Sequence, residues 1–299
     1  ELDHNEIINI TENVYKSILK TEKSSITVEE IQNLIEKTLM DDGYKEVQRA
    51  YSIYRMDRTR VRDTKSDLMK AINRIGVETD RDNANVGNNF SSKLLRIASE
   101  SNKWHNLANM PKHLAKAHEN GELYFHDLDS YNLTINCLHI PTRELLENGF
   151  NTGYGTINRP KRIETAAELS CILLQSSQND MFGGQAHPDF DNDMSIFIEP
   201  TRQEIRSDLK ALGIEEERIE KIVEERLSSR VHQAMQGIVY NLNTMHSRAG
   251  SQVPFSSINL GIPKDKDAAM ICEIFLQEYE KGLGKGEQPI FPNIIFRVK

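Results

Sequence analysis

Cysteine is scarce in this sequence: three residues in 299, Cys137, Cys171 and Cys272. An odd number at wide spacing argues against a disulfide framework and against a cysteine-built zinc site. No apolar run approaches the ~20 residues that span a bilayer. The N-terminal stretch ELDHNEIINI is acidic and lacks the apolar core of a signal peptide. A basic excess is also lacking, with 37 Lys and Arg against 45 Asp and Glu and a net charge of −8. Binding of nucleic acid through its phosphates is therefore disfavoured. There is no Walker-type loop, no internal repeat, no low-complexity tract and no His, Cys or Asp cluster at metal-ligand spacing. These absences point to a reducing cytoplasm, with no membrane, no nucleic acid and no metal held by this chain.

What is present suits a globular chain with one large domain and a small appendage: 38% hydrophobic and 27% charged residues. Local basic clusters do occur, Arg58 to Arg62 and Arg159-Pro160-Lys161-Arg162. Each reads first as a solvated helix edge or loop. The first sixty or so residues have helical periodicity. Thr27 and Glu30 form a capping box ahead of the stripe Ile31, Leu34, Ile35, Leu39, and Gly43 is a natural stop. Val47, Ala50, Tyr51 and Tyr54 make a second stripe, and the basic run beyond it marks a boundary, giving domains 1–63 and 64–299.

Beyond the boundary, helices are expected at 68–75, at 91–99 and from Pro111 to about Gly121, with an asparagine-rich turn at 83–89. Strands are expected at 123–125, 133–140, 194–198, 255–260 and 290–298, with a helix at 164–176 between them. Thr201 with Glu204 reads as a capping box, and Ile219, Ile222, Val223, Leu227 and Val231 form a long stripe reaching towards Tyr240. Strands separated by helices predict an α/β architecture with parallel pairing. Gly183-Gly184-Gln185 reads as a tight turn, a weak signal by itself.

In the segment LTINCLHI, Leu133, Ile135, Cys137 and His139 alternate onto one face and Thr134, Asn136, Leu138 and Ile140 onto the other. Both faces are mostly apolar, so both are expected to be covered. Cys137 is then either a small buried hydrophobe or a redox or radical thiol at the inner wall of a barrel, and periodicity does not separate the two. His126-Asp127 just upstream is either a hydrogen-bonded structural pair or a group that orients a substrate. Cys171 in an apolar helix run and Cys272 in an amphipathic helix read as buried filler.

Long strings carry a more specific signal. They are NANV at 83–86, HDLD at 126–129 with Asn136-Cys137, GGQAHPDFDNDM at 183–194, QGIVYNLNTMHSRAG at 236–250, VPFSSINLG at 253–261 and GEQPIFPNIIF at 286–296. Together they resemble the anaerobic (class III) ribonucleoside-triphosphate reductases, a glycyl-radical family, over essentially all of 64–299. The stretch from TVEEIQNLIE to RTRVRD is similar to the second, helical half of an ATP-cone regulatory domain.

The resemblance implies the first half of a ten-stranded α/β barrel, preceded by a small helical ATP-cone remnant. It implies an excised portion of a longer protein, inactive alone. The thiyl-radical cysteine, a zinc-bound cysteine cluster and the glycyl-radical loop would then lie on a C-terminal part beyond this chain. Cys137 matches a family cysteine on the first barrel strand that faces the ribose and donates a proton or hydrogen atom at the leaving 2′-hydroxyl. Asn136 matches a substrate-fixing asparagine and His126 a histidine lining the same pocket. A second family histidine is replaced here by Tyr124.

The implied reaction reduces ribonucleoside triphosphates to deoxyribonucleoside triphosphates with formate as reductant, in deoxyribonucleotide biosynthesis for DNA replication. A radical-SAM activating enzyme and a homodimer are implied, with ATP and dNTP effectors. By position, Glu164, Gln178 and Lys210 are the effector-binding candidates, with Arg162 a further phosphate contact; exposed helix residues would look the same. Two other readings compete. One is a non-catalytic nucleotide-binding regulatory and dimerisation module. The other is a glycyl-radical enzyme acting on a small acid, against which stands the absence of an adjacent cysteine pair, since Leu138 follows Cys137.

Overall fold

The computed structural model describes residues 2–63, 67–77, 88–131 and 135–298. The chain divides into two compact units, Glu1–Arg74 and Ile75–Lys299. The first is helical: α1 (His4–Leu19), α2 (Val28–Asp41) and α3 (Lys45–Asp63), followed by α4 (Asp67–Val77), which runs across the division. Thr27 caps α2 as the sequence predicts: its backbone N–H donates to Glu30 at 2.8 Å, and the Glu30 N–H donates back to its hydroxyl at 3.2 Å. Asp3 and Glu6 make a second capping box on α1. Ile10, Val14 and Leu39 form the centre of this unit, with Leu34, Ile35, Val47 and Tyr51 packed around them.

The second unit is α/β. Helices α5 (Phe90–Asn109) and α6 (Lys112–Glu119) precede β1 (Leu138–His139). Next come α7 (Thr142–Asn148), a hairpin of β2 (Phe150–Asn151) and β3 (Thr156–Ile157), α8 (Ile163–Ser177) and β4 (Gln185–His187). After these come α9 (Phe190–Ser195), α10 (Ile198–Ala211), α11 (Glu216–Thr244), β5 (Ser256–Leu260), α12 (Lys266–Lys281) and β6 (Asn293–Phe296). Four strands form one sheet in the order β1-β4-β5-β6, every pair parallel. Each parallel neighbour requires a crossover, and the helices supply them. Register pairs Leu138 with Gln185, Gln185 with Ser256 and Ile258 with Ile294.

One apolar core joins the helices to one face of that sheet. Leu138, Ile140, Ile258, Leu260 and Ile294 meet Phe190, Phe197, Leu174, Leu227 and Phe275 there. Helix α11 is its axis, burying Ile219, Val223, Leu227, Val231, Met235, Ile238 and Leu242 at the three- and four-residue spacing of a helix stripe. It packs on α8, α10 and α12.

Three sequence expectations are corrected. The apolar run 194–198 is not a strand: Met194, Phe197 and Ile198 are all buried at i, i+3, i+4, so helix periodicity serves the core better than alternation. Thr201 does not cap its own helix, which starts earlier at Ile198. Its hydroxyl instead accepts from the Ile163 N–H at 3.0 Å, one of the free donors at the start of α8, and donates to the Phe197 carbonyl at 2.7 Å. Leu123–Phe125 has no ladder partner among the described residues; the Phe125 N–H donates to the His118 ring at 3.2 Å instead. Strand β4 and the short hairpin are elements the pattern did not indicate.

His187 shows how tightly the core is closed. On β4 it is 1% exposed. Its Nε2 faces the Ser170 carbonyl at 3.2 Å, which fixes the proton there and leaves Nδ1 to accept from the Thr142 hydroxyl at 2.5 Å. Burial pulls its pKa down to about 4. A histidine depressed in the folded state costs stability as pH falls, because between pH 6.5 and 4 the unfolded chain binds the extra proton. Asp193 acts oppositely, since burial pushes its carboxyl up to about 6. Comparison with His187→Gln isolates the histidine. Urea unfolding from pH 7 to 4 should show the parent losing up to about 3 kcal/mol more than the variant; parallel profiles would contradict a neutral buried imidazole.

Candidate functional site

The site begins at the edge strand β1. Leu138 and Ile140 point into the helix core, and their N–H groups donate to the carbonyls of Gly184 at 3.1 Å and Ala186 at 2.9 Å. Alternation then sends Cys137 and His139 to the other face of the sheet, where both are exposed. Ile135, on the same face, is 54% exposed and bridges Met181 in parallel. The alternation expected from the sequence holds from Cys137 to Ile140 but not at Asn136, which is exposed on the side of the thiol. The expectation that both faces are covered does not hold: among the described residues the core helices pack on the face of Leu138 and Ile140, and Cys137 and His139 are left uncovered. Leu133 and Thr134 of the same segment, and the string NANV at 83–86, lie outside the described residues.

The Cys137 thiol points towards Asn136 Oδ1 at 3.5 Å, and the Asn136 carbonyl accepts from the Gly183 N–H at 2.8 Å. Asparagine and cysteine thus stand together just ahead of β1, tied to the turn at Gly183 by that hydrogen bond. The other two cysteines differ. Cys171 is 1% exposed with its thiol pushed up to about 12 by burial, and Cys272 is buried and also raised by burial. A thiol that stays protonated inside a core is inert.

His126 is exposed, with its Nε2 3.3 Å from Asp127. Asp127 adopts a left-handed φ of 49°, which turns the chain there. Two contacts from α5 anchor the turn: Asn106 donates to the Leu128 carbonyl at 2.7 Å and Ser99 to Asp129 at 2.5 Å. Tyr124, in the position of the replaced histidine, lies between the rings of His118 and His126, with centroids 6.0 and 6.2 Å away.

The effector candidates do not form one cluster. Glu164, in the first turn of α8, is held by Arg230 of α11, with one bond at 3.0 Å. Gln178 caps the other end of α8, about 21 Å away at 1.5 Å per residue. It is buried, its amide donating to Ser247 at 2.5 Å and to the Gln252 carbonyl at 3.4 Å. Lys210, at the end of α10, pairs with Glu216 at 2.8 Å. Beside Glu164 the charges continue: Arg230 reaches Glu204 at 3.4 Å, and Arg162 pairs with Glu204. Arg159, Lys161, Arg162 and Gln203 line a cavity of about 570 Å³ there. Three cations against one carboxylate make it suited to an anion.

Sequence reasoning missed a further set of residues just beyond β4. Asp191 is fully buried and accepts from the Gly261 N–H at 2.8 Å and the Asn192 N–H at 3.0 Å. Asn192 accepts from the Lys264 N–H at 2.8 Å, and Asp189 pairs with Arg297 and, at 3.3 Å, with Lys264. These bonds clip the ends of β4, β5 and β6 together. The only available signal was the string GGQAHPDFDNDM, which does not say what its carboxylates hold. Among the described residues no group of three or more His, Cys, Asp or Glu is placed to hold a metal ion, and no helix is long and apolar enough to cross a membrane.

Comparison with known proteins adds identity to this geometry. The model of the anaerobic ribonucleoside-triphosphate reductase family matches residues 82–299, and that of the ATP cone domain matches residues 1–60. The chain is similar to the anaerobic ribonucleoside-triphosphate reductase of Haemophilus influenzae, 26% identical over 97% of this chain and 42% of that protein. It is likewise similar to that of Escherichia coli, 27% identical over 93% of this chain and 40% of that protein. It therefore spans about two fifths of the length of these relatives. A crystal structure of the anaerobic ribonucleotide reductase from Thermotoga maritima, with citrate in the active site, superposes with a TM-score of 0.50 at 17% identity. That match covers 92% of this chain and 49% of the other, a likeness of fold.

Proposed function

We propose that this chain, which belongs to the anaerobic ribonucleoside-triphosphate reductase family, supplies one wall of the reduction site and an effector surface of such an enzyme. The observation that carries the reading is the exposed Cys137 thiol beside Asn136, at the edge of a parallel sheet and turned away from the helix core of Leu138 and Ile140. In this reading the four-stranded sheet is part of a ten-stranded barrel, and the face that carries Cys137 and His139 looks into its interior. A second half-barrel would cover that face and make it dry. Residues 1–60 would be the regulatory cone, taking ATP or a deoxynucleotide.

The substrate is a ribonucleoside triphosphate. Cys137 protonates the 2′-hydroxyl, the carbon–oxygen bond breaks and the hydroxyl leaves as water. Formate supplies the two electrons and is oxidised to carbon dioxide, so that ribonucleotide, formate and a proton give deoxyribonucleotide, carbon dioxide and water. Asn136 fixes the ribose by hydrogen bonds, and His126 lines the approach. A glycyl radical, installed by a radical-SAM activating enzyme, would supply the radical to a cysteine outside these residues, and that cysteine would take the 3′-hydrogen. That radical and a structural zinc belong to parts of the enzyme without a counterpart in these residues. The rigid strand matters because a mobile or wet thiol would react with the wrong partner. The enzyme works as a cytoplasmic homodimer.

For the effector, the cluster Arg159, Lys161 and Arg162 with Glu204 supports binding of a deoxynucleoside triphosphate, the cations taking phosphates and a carboxylate, Glu204 or the neighbouring Glu164 once released from Arg230, a sugar hydroxyl. Lys210 would reach the same ligand from the end of α10 once released from Glu216. Gln178, being buried, would act through the Ser247 and Gln252 loop that it holds.

Two experiments test this. Cys137→Ala in the full-length enzyme should abolish nucleotide reduction and leave effector affinity unchanged; residual turnover would remove Cys137 from the chemistry. Calorimetric titration of the four deoxynucleoside triphosphates should show binding of at least one, weakened about tenfold or more by Lys161→Ala. Absence of heat with all four would remove the effector surface from this chain.

A further inference from the structure

Gly183 owes its identity to space rather than to backbone conformation. Its φ is not in the left-handed region, so an alanine there would carry no conformational strain. A methyl group at Gly183 would nevertheless stand 2.4 Å from the Asn136 carbonyl oxygen, 2.4 Å from Asn136 Oδ1 and 3.0 Å from Cys137 Sγ. The first of these is a backbone atom bonded to Gly183 itself and cannot rotate away. The same residue donates its N–H to that carbonyl at 2.8 Å. The turn that carries it is fastened from behind by Arg248, whose Nη1 donates to the carbonyls of Gln178 at 3.0 Å and Met181 at 2.6 Å. Its neighbour Gly184 has a different environment: a methyl there would meet the Phe255 ring at 2.9 Å and neither Asn136 nor Cys137.

We propose that Gly183 is the positioning residue for Cys137: its missing side chain lets residues 136 and 137, just ahead of β1, lie against the turn and sets where the sulfur stands. Any side chain there pushes Asn136 and Cys137 away from the turn together. The proposal rests on the reading of Cys137 as the thiol that serves the ribose, because a displaced sulfur matters only if it must meet a reacting atom. Misplacement of a reacting group by about 1 Å costs on the order of a hundredfold in rate. In the full-length enzyme Gly183→Ala should therefore lower kcat about a hundredfold, and KM should rise as well because Asn136 moves with the sulfur.

The thiol itself reports the position in this chain without any turnover, since Cys171 and Cys272 are buried. Its alkylation rate with iodoacetamide should change at least fivefold in Gly183→Ala and less than twofold in Gly184→Ala, although both lower the melting temperature. An unchanged rate in Gly183→Ala, or an equal change in Gly184→Ala, overturns the proposal. If Gly183→Ala does not fold, Arg248→Lys loosens the turn without adding an atom at the thiol, and its Cys137 rate should rise at least twofold; no rise overturns the proposal. The outcomes separate from those for the underlying reading. Loss of reduction in Cys137→Ala with an unmoved thiol in Gly183→Ala sinks only the role of Gly183. Reduction that survives Cys137→Ala sinks the reading itself.

Discussion

A β-strand has two faces, and a helix layer can cover only one of them. At β1 the helix side is taken by Leu138 and by Ile140 just past its end, which join the core around α8 and α11. Cys137 and His139 must then stand on the opposite face. A slip of one residue would bring the thiol and the imidazole into the core and expose Leu138 and Ile140, losing about 1.5–3 kcal/mol for each apolar side chain expelled. The position of the sulfur is thus a consequence of burying its neighbours. The hydrogen bonds from Leu138 and Ile140 to the carbonyls of Gly184 and Ala186 turn that preference into a fixed geometry.

The rest of the second unit keeps that strand in place. Helix α11 brings α8, α10 and α12 into one core, and Thr201 of α10 caps the first turn of α8. At the far end of the strands, Asp189, Asp191 and Asn192 hold the β5–α12 loop and Arg297. His187 sits neutral between Thr142 and Ser170, tying the start of α7 to β4 and α8. Polar groups this deep are tolerated because nearly all of them are paired. The outcome is a firm frame on the side of Leu138 and Ile140, with Cys137 and His139 exposed at the edge of the other side.

Much of this was legible in the sequence. Long stripes such as Ile219 to Val231 gave α11, and the alternation of 133–140 placed Cys137 opposite Leu138. The parallel α/β class followed from the order of strands and helices. The misreadings have physical causes. Met194 to Ile198 is apolar enough for a strand, but burial at helix spacing decided its form. Thr201 has a capping residue's chemistry and uses it on a helix distant in sequence, which no local pattern can show. Strand β4 is only three residues long and carries Gln185 and His187, polar side chains that become buried through bonds to Leu174, Ser170 and Thr142. The exposure of Cys137 could not be read from alternation either, because alternation assigns faces and does not say which face is covered. The strings that resembled the reductase family identified the family and left the effector residues scattered over separate ends of α8 and α10.

The central claim is that the segment carrying Cys137 is covered on one face alone, and the adjacent residues His139 and Ile140 test it most directly. Aspartate should be introduced at each in turn and urea unfolding measured. His139→Asp, at an exposed position, should leave the unfolding free energy within about 0.5 kcal/mol of the parent. Ile140→Asp places an unpaired carboxylate in the helix core and should remove most of the stability of the second unit. Equal losses at both positions, or a greater loss at His139, would contradict one-sided burial and with it the placement of the thiol.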